Sequence, residues 1–68
     1  MTKFIELHQD GLQISFNIDL IESFVATKGV SDRQTKLKVI DNAYYIDEDY
    51  EVVKQLLRIA EVEIVRQL

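Results

Sequence analysis

The last third of the chain contains neither Gly nor Pro, and its apolar residues recur at helical spacing. This spacing predicts a helix over residues 49–67 with one apolar stripe. No other segment is long enough to cover a sheet, so we expect the preceding strands to pack against it. The residues of the stripe follow one another at steps of three or four: Val53, Leu57, Ala60, Ile64 and Leu68.

Two segments of alternating polarity, residues 4–9 and 12–18, flank the pair Asp10-Gly11. Asp-Gly is favoured in two-residue hairpin turns because both residues tolerate positive φ. A loop at this pair brings the apolar residues of the two strands to one face, since opposed residues point to the same side. The predicted apolar pairs are Ile5 with Phe16, and Leu7 with Ile14.

Three further strands are predicted at residues 23–27, 35–40 and 43–46, the last two joined by a turn at Asp41-Asn42. For the strand at 23–27, alternation leaves open whether Phe24 and Ala26 or Val25 and Thr27 face inward. The turn at Asp41-Asn42 predicts these pairs: Val39 with Tyr44, Leu37 with Ile46, and Lys38 with Tyr45.

The predicted fold is therefore α+β, a five-stranded antiparallel meander covered on one face by a single C-terminal α-helix. Residues 1–68 form one domain, of a size at which a single core is only marginally sufficient. Three apolar residues, Val52, Ile59 and Val62, fall outside the stripe that faces the sheet. An apolar patch on the far side of a covering helix favours a homo-oligomer packed through that patch.

The composition restricts the classes of function. The net charge of −4 and the pI of about 4.7 argue against a protein whose main task is to coat nucleic acid. With no Cys and one His, neither a structural zinc site nor any cofactor is expected. No apolar run approaches the ~20 residues of a membrane span. The first residues lead directly into a strand with no leader pattern, so we expect a cytoplasmic location.

Basic residues are concentrated between the third and fourth predicted strands and along the fourth. This cluster could contact an acidic protein surface or phosphates; the alternative is a solvated outer face paired with Asp32 and Asp47. Its members, with the tyrosine predicted beside them, are Lys28, Arg33, Lys36, Lys38 and Tyr45.

Two other patterns have residue types that could form a chemical site. His8 shares its predicted face with Glu6 and Ser15, but an open sheet face neither excludes water nor forms an oxyanion hole, so we expect a solvated histidine and no catalysis. The acidic run 47–51 resembles the opening of a calcium loop. It has Val52 where that loop needs Gly and Arg58 where it needs Glu, so we expect an acidic helix start and no metal site.

The segment between the second and third predicted strands reads as a tight corner, capped by Asn17 or Asp19. It resembles the Asn-x-Asp-Leu-Ile-Glu corner of the FlbD/SwrD family of small flagellar and swarming-motility proteins. Asn42 replaces a turn glycine of that family, and the basic loop 28–34 replaces its short Pro-containing turn. The matching residues are Asn17, Asp19, Leu20, Ile21 and Glu22.

The resemblance implies a hairpin, a corner and a C-terminal helix, and a role associated with motility. Together with the composition, it favours a small non-enzymatic protein–protein interaction module or adaptor. The alternative is an accessory protein of a phage or mobile element with a role near nucleic acid.

Overall fold

The computed structural model describes residues 2–27 and 35–65, and they form an α+β fold with five antiparallel strands and one C-terminal helix. The predicted fold class is confirmed. The strands belong to two sheets, a β1–β2 hairpin and a three-stranded sheet in the order β3–β4–β5. The elements are β1 (Phe4–Gln9), β2 (Leu12–Asn17), a 3₁₀ turn (Ile18–Leu20), β3 (Ile21–Ala26), β4 (Thr35–Val39), β5 (Asn42–Ile46) and α1 (Tyr50–Ile59).

The β1–β2 hairpin has the predicted register, with Ile5 opposite Phe16 and Leu7 opposite Ile14. Its turn residues take positive φ, 53° at Asp10 and 79° at Gly11, as a type I′ turn requires. Alternation and turn chemistry therefore specify the same pairing, and the prediction is confirmed.

The corner after β2 is a single 3₁₀ turn. The side chain of Asn17 caps it, because its Oδ1 accepts the N–H of Asp19 at 3.0 Å. The N–H of Ile18 donates to the carbonyl of Lys3 at 3.0 Å, which holds the corner against the start of β1. Since the turn uses only three residues, β3 begins at Ile21, two residues earlier than predicted.

The predicted pairing of β4 with β5 is wrong by two residues. The turn lies at Ile40-Asp41, so Leu37 pairs with Tyr44 and Lys36 pairs with Tyr45. Ile40 adopts a φ of 56°. Asn adopts this left-handed conformation more readily than a β-branched residue does. A shift of two residues leaves every side chain on its predicted face, because side chains alternate with a period of two.

The alternation left open for β3 resolves in favour of Phe24. Its ring packs against Tyr50 of α1 with centroids 5.0 Å apart, and it pairs across the sheet with buried Leu37. Val25 points outward and is 54% exposed. β3 therefore joins the core through Ile21 and Phe24. Beyond Val25 the alternation does not continue, because Ala26 is exposed and Thr27 is buried.

The two sheets meet along β1 and β5 and enclose one core with α1. The N–H of Asp47 donates to the carbonyl of His8 at 2.7 Å, and the Gln9 side chain donates to the carbonyl of Tyr45 at 3.3 Å. Each large apolar side chain buried in this core contributes roughly 1.5–3 kcal/mol. The core residues are Ile5, Leu7, Phe16, Leu37, Ile46, Val53 and Leu57.

The predicted helix over 49–67 is too long, because α1 ends at Ile59 in a Schellman motif. Glu61 adopts a φ of 69° and its N–H donates to the carbonyl of Arg58 at 2.9 Å. The N–H of Val62 donates to the carbonyl of Leu57 at 2.8 Å. The chain then continues without regular structure through residue 65.

The early end of α1 corrects the predicted position of Val62. This residue was assigned to the outer face of the helix, but it follows the helix and is half-buried against the core with Ile64. Packing of the residue after the left-handed position onto the last helical turn accompanies many Schellman motifs. Val52 and Ile59 remain on α1 and are 43% and 70% exposed. Leu68 of the predicted stripe lies outside the described residues.

Candidate interaction surfaces

The outer face of the three-stranded sheet brings together the described part of the predicted basic cluster. One row across the strands is Val25, Lys36 and Tyr45, and the neighbouring row is Ser23, Lys38 and Ala43. Together these six residues form the basic sheet face. The two lysines lie on the central strand, and the structure pairs Lys36 with Tyr45, where Lys38 was predicted. Lys28 and Arg33, the other two basic residues of the predicted cluster, lie outside the described residues.

The lysines of the basic sheet face carry their charge without a partner carboxylate in residues 2–27 and 35–65. Both are exposed, and within that part of the chain neither forms an ion pair. Their positions, two apart on one strand, place their Cα atoms about 7 Å apart on the same face. Val25 on one side and half-buried Tyr45 on the other supply apolar and aromatic surface beside them. The face thus combines positive charge with contact area.

Asp47, which the alternative interpretation paired with the basic residues, caps the first hairpin. Its carboxylate accepts the N–H of Gly11 at 2.9 Å and the N–H of Asp10 at 3.3 Å. These contacts join the Asp-Gly turn to the segment that leads into α1. Asp47 therefore links the first hairpin to the start of α1.

Glu48 forms hydrogen bonds with His8, the only histidine of the sequence. Its Oε1 accepts the backbone N–H of His8 at 2.8 Å, and its Oε2 lies 2.5 Å from His8 Nδ1. The carbonyl of Glu48 also accepts the hydroxyl of buried Thr35 at 2.8 Å. β1, β4 and the approach to α1 are joined at this one residue.

The hydrogen bond to Glu48 is the main cause that raises the pKa of His8 above its ordinary value of 6.5. Desolvation lowers that pKa, while the charges of Glu48, Glu6 and Asp47 raise it further. The His8 side chain is 37% exposed, so it remains accessible to solvent as expected, although Glu48 binds it. Glu6, weighed as its orienting acid, instead accepts the side-chain N–H of Gln13 at 3.1 Å.

The third carboxylate of the run, Asp49, caps α1 by accepting the N–H of Val52 at 3.0 Å. Each of the three consecutive acidic residues thus has a different structural partner. A helix needs only one N-cap, so the only sign of these roles in the sequence is that the run contains more acidic residues than capping requires. Within residues 2–27 and 35–65, no three His, Cys, Asp or Glu side chains are grouped so that they could hold a metal ion.

An apolar groove lies between the corner, β3 and the segment after α1. Its volume is about 190 Å³, smaller than the roughly 300–1,000 Å³ of typical small-molecule pockets. Of the corner residues that carry the family resemblance, Ile21 and Glu22 line the groove, while Asp19 and Leu20 are exposed. Its apolar walls are formed by Ile18, Ile21, Phe24, Leu57, Val62 and Ile64.

No family model, curated protein or solved structure significantly matches the chain. In the part of the chain that the structure describes, no helix is long and apolar enough to cross a membrane.

Proposed function

We propose that this protein is a small non-enzymatic interaction module that binds an acidic partner protein through the basic sheet face. The observation that carries the proposal is the pair Lys36 and Lys38, exposed at the centre of a sheet face and without an ion pair in the described residues. In a chain of net charge −4, a local group of uncompensated cations favours an acidic partner by electrostatic complementarity.

The residues beside the lysines favour a protein as the partner. Tyr45 and Val25 flank Lys36 in one row, and aromatic surface of this kind is enriched where proteins bind each other. Two charges about 7 Å apart match carboxylates two residues apart on an extended strand. Binding nucleic acid, the alternative, depends on neutralising several phosphates at once, and two lysines would do so weakly.

The contacts of His8 favour a non-enzymatic role. Its imidazole is held by Glu48, while Ser15 lies opposite Glu6 and not opposite His8. A serine nucleophile requires a base within hydrogen-bond reach, oriented by an acid on its other nitrogen. The contact between His8 and Glu48 is better explained as a structural link between β1 and the start of α1.

The proposal includes two further elements. Self-association through α1, where Val52 and Ile59 are exposed, would present two basic sheet faces in one assembly. The likeness of the corner to the FlbD/SwrD family favours a motility-associated, cytoplasmic setting for the partner. Asn17 caps the corner turn, so at least this residue of the shared pattern is explained by structure alone.

The test is an NMR titration of the ¹⁵N-labelled protein with a synthetic Glu-rich peptide, at low salt and again at high salt. We expect amide shifts to change in β4 and in the neighbouring strands at residues 23, 25, 43 and 45, and the effect to weaken as salt screens the charges. The variant Lys36→Met/Lys38→Met should lose binding. The control Lys3→Met/Lys54→Met removes the same charge outside this face and should retain it.

Two results would overturn the proposal. One is peptide binding that the Lys36→Met/Lys38→Met variant retains, because the face would then not be the site. The other is salt-dependent binding of a single-stranded oligonucleotide, lost in the same variant, with no binding of the acidic peptide. That second result would support the nucleic-acid alternative.

A further inference from the structure

The exposed apolar residues of α1 form a line along the helix. Val52 and Ile59 are seven residues apart and 43% and 70% exposed. Seven residues at 100° each bring them within about 20° of the same direction and about 10.5 Å apart along the axis. Leu56, between them, is half-buried against the core at the edge of this line.

A second line of polar residues runs beside the first, with its charges at opposite ends. Glu51 lies in the first turn and Arg58 in the last, again seven residues apart, with Gln55 between them. All three side chains belong to exposed residues. Acid near the N-terminus and base near the C-terminus also agree with the helix dipole.

We propose that α1 pairs with α1 of a second copy of this chain in an antiparallel, two-fold arrangement centred between Gln55 and Leu56. This inference rests on the proposed self-association and specifies its geometry. In this arrangement Val52 of each copy packs against Ile59 of the other. Glu51 of each copy lies beside Arg58 of the other, within an axial offset of about 3 Å that an arginine side chain spans.

Charge complementarity distinguishes this arrangement from a parallel one. In a parallel two-fold pair the polar lines of the two copies lie on opposite sides of the interface, so no contact forms between Glu51 and Arg58, and the two helix dipoles are aligned. The antiparallel pair forms two Glu–Arg contacts and opposes the dipoles. A two-fold axis also makes the interface self-complementary, which is the commonest symmetry among homodimers.

The size of the contact sets the expected affinity. A ten-residue helix is about 15 Å long, so the interface falls below the roughly 800 Å² per partner of a standard complex. We therefore expect a weak dimer that forms and dissociates rapidly. Such an equilibrium is suited to a module whose second basic sheet face raises the strength of binding only when the partner offers two sites.

The experiment is sedimentation equilibrium of the full chain at low salt from about 10 µM to about 1 mM, a range that brackets a contact of this size. Glu51→Arg and Arg58→Glu should each weaken self-association about tenfold, because each turns two attractive contacts into repulsive ones. An equimolar mixture of these two variants should associate as strongly as the wild type, and so should the double variant Glu51→Arg/Arg58→Glu.

Two controls separate charge and folding from the interface. Asp41→Arg changes the net charge as Glu51→Arg does, at an exposed site in the β4–β5 turn, and should leave association unchanged. Ile59→Glu should abolish association while the circular dichroism spectrum stays the same, since Ile59 is 70% exposed.

Each outcome decides a different statement. A wild type that is monomeric at about 1 mM overturns both the antiparallel pairing and the proposed self-association. A wild-type dimer that Glu51→Arg and Arg58→Glu leave intact, or a mixture that does not restore association, overturns the pairing alone. Binding of the acidic peptide is measured separately and depends on neither result.

Discussion

Replacing Glu61 by glycine should stabilise the protein, although glycine usually weakens the structure around it. Glu61 is the left-handed residue of the Schellman motif that ends α1, with a φ of 69°. Glycine adopts this conformation without steric cost and is the residue most often found at this position. The Glu61 side chain is 85% exposed, and its Oε2 lies 3.6 Å from Lys3 Nζ, so the replacement removes little other than this contact.

The expected gain follows from three contributions. A residue with a side chain pays about 1–2 kcal/mol in the left-handed region. The greater conformational freedom of glycine in the unfolded chain lowers the free energy of unfolding by about 0.4–1 kcal/mol. Loss of the exposed contact with Lys3 costs a few tenths of a kcal/mol at most. The free energy of unfolding should therefore rise by about 0.5 kcal/mol, near the middle of a range from about −0.3 to about 1.6 kcal/mol.

The measurement is urea unfolding followed by circular dichroism, with an unchanged m-value as the sign that the folded state is the same. Glu63→Gly is the matched control, because Glu63 is also exposed and in the segment after α1, but has no positive φ. It should leave the protein equally or less stable. A Glu61→Gly variant that is less stable than the wild type by about 1 kcal/mol or more would refute a left-handed helix end at Glu61, and with it the placement of Val62 on the core.

Three further predictions concern the polar contacts. Glu48→Ala should lower the free energy of unfolding by about 2 kcal/mol in urea unfolding, because the N–H of His8 loses a charged acceptor. Glu63→Ala, the exposed control, should change it by less than about 0.5 kcal/mol. Because the pKa of His8 is raised in the folded state, the contribution of His8 to stability is complete below pH 6.5 and is lost as the pH rises through the pKa of the folded state. In thermal unfolding at a series of pH values, His8→Gln should reduce this loss of stability with rising pH. Asn17→Ala should cost about 1 kcal/mol and Asp19→Ala much less, since only Asn17 caps the 3₁₀ turn; equal losses in calorimetry would contradict this assignment.

Local sequence determined the elements whose signals are short-range. The first hairpin was predicted pair by pair, because an Asp-Gly turn and two alternating strands specify the same register. The inward faces of β4 and β5 were also predicted correctly. Alternation reports which side of a strand is apolar, and that information survives a shift of two residues in pairing. The start of α1 was predicted within the acidic run, because Asp is a good helix cap before an apolar stripe, and the structure shows that Asp49 is the cap.

The tertiary structure decided the features in which local preference is overruled. Asn42 was the better turn residue, yet the β4–β5 turn places Ile40 at positive φ. This turn sets Thr35 opposite Ile46, and both are fully buried in the structure. The end of α1 carries no glycine, so periodicity alone extended the helix, whereas packing of Val62 and Ile64 on the core ends it.

The roles of the acidic run and of the basic residues depended on contacts between distant parts of the chain. Asp47 and Glu48 lie about forty positions from the residues they bind in the first hairpin, and no local pattern encodes such a pair. Once these carboxylates are engaged there, Lys36 and Lys38 have no acidic partner within the described residues. The sequence placed both lysines on an outer face by alternation. Only the folded arrangement determined which charges face each other, because electrostatic pairing depends on distance in space and not along the chain.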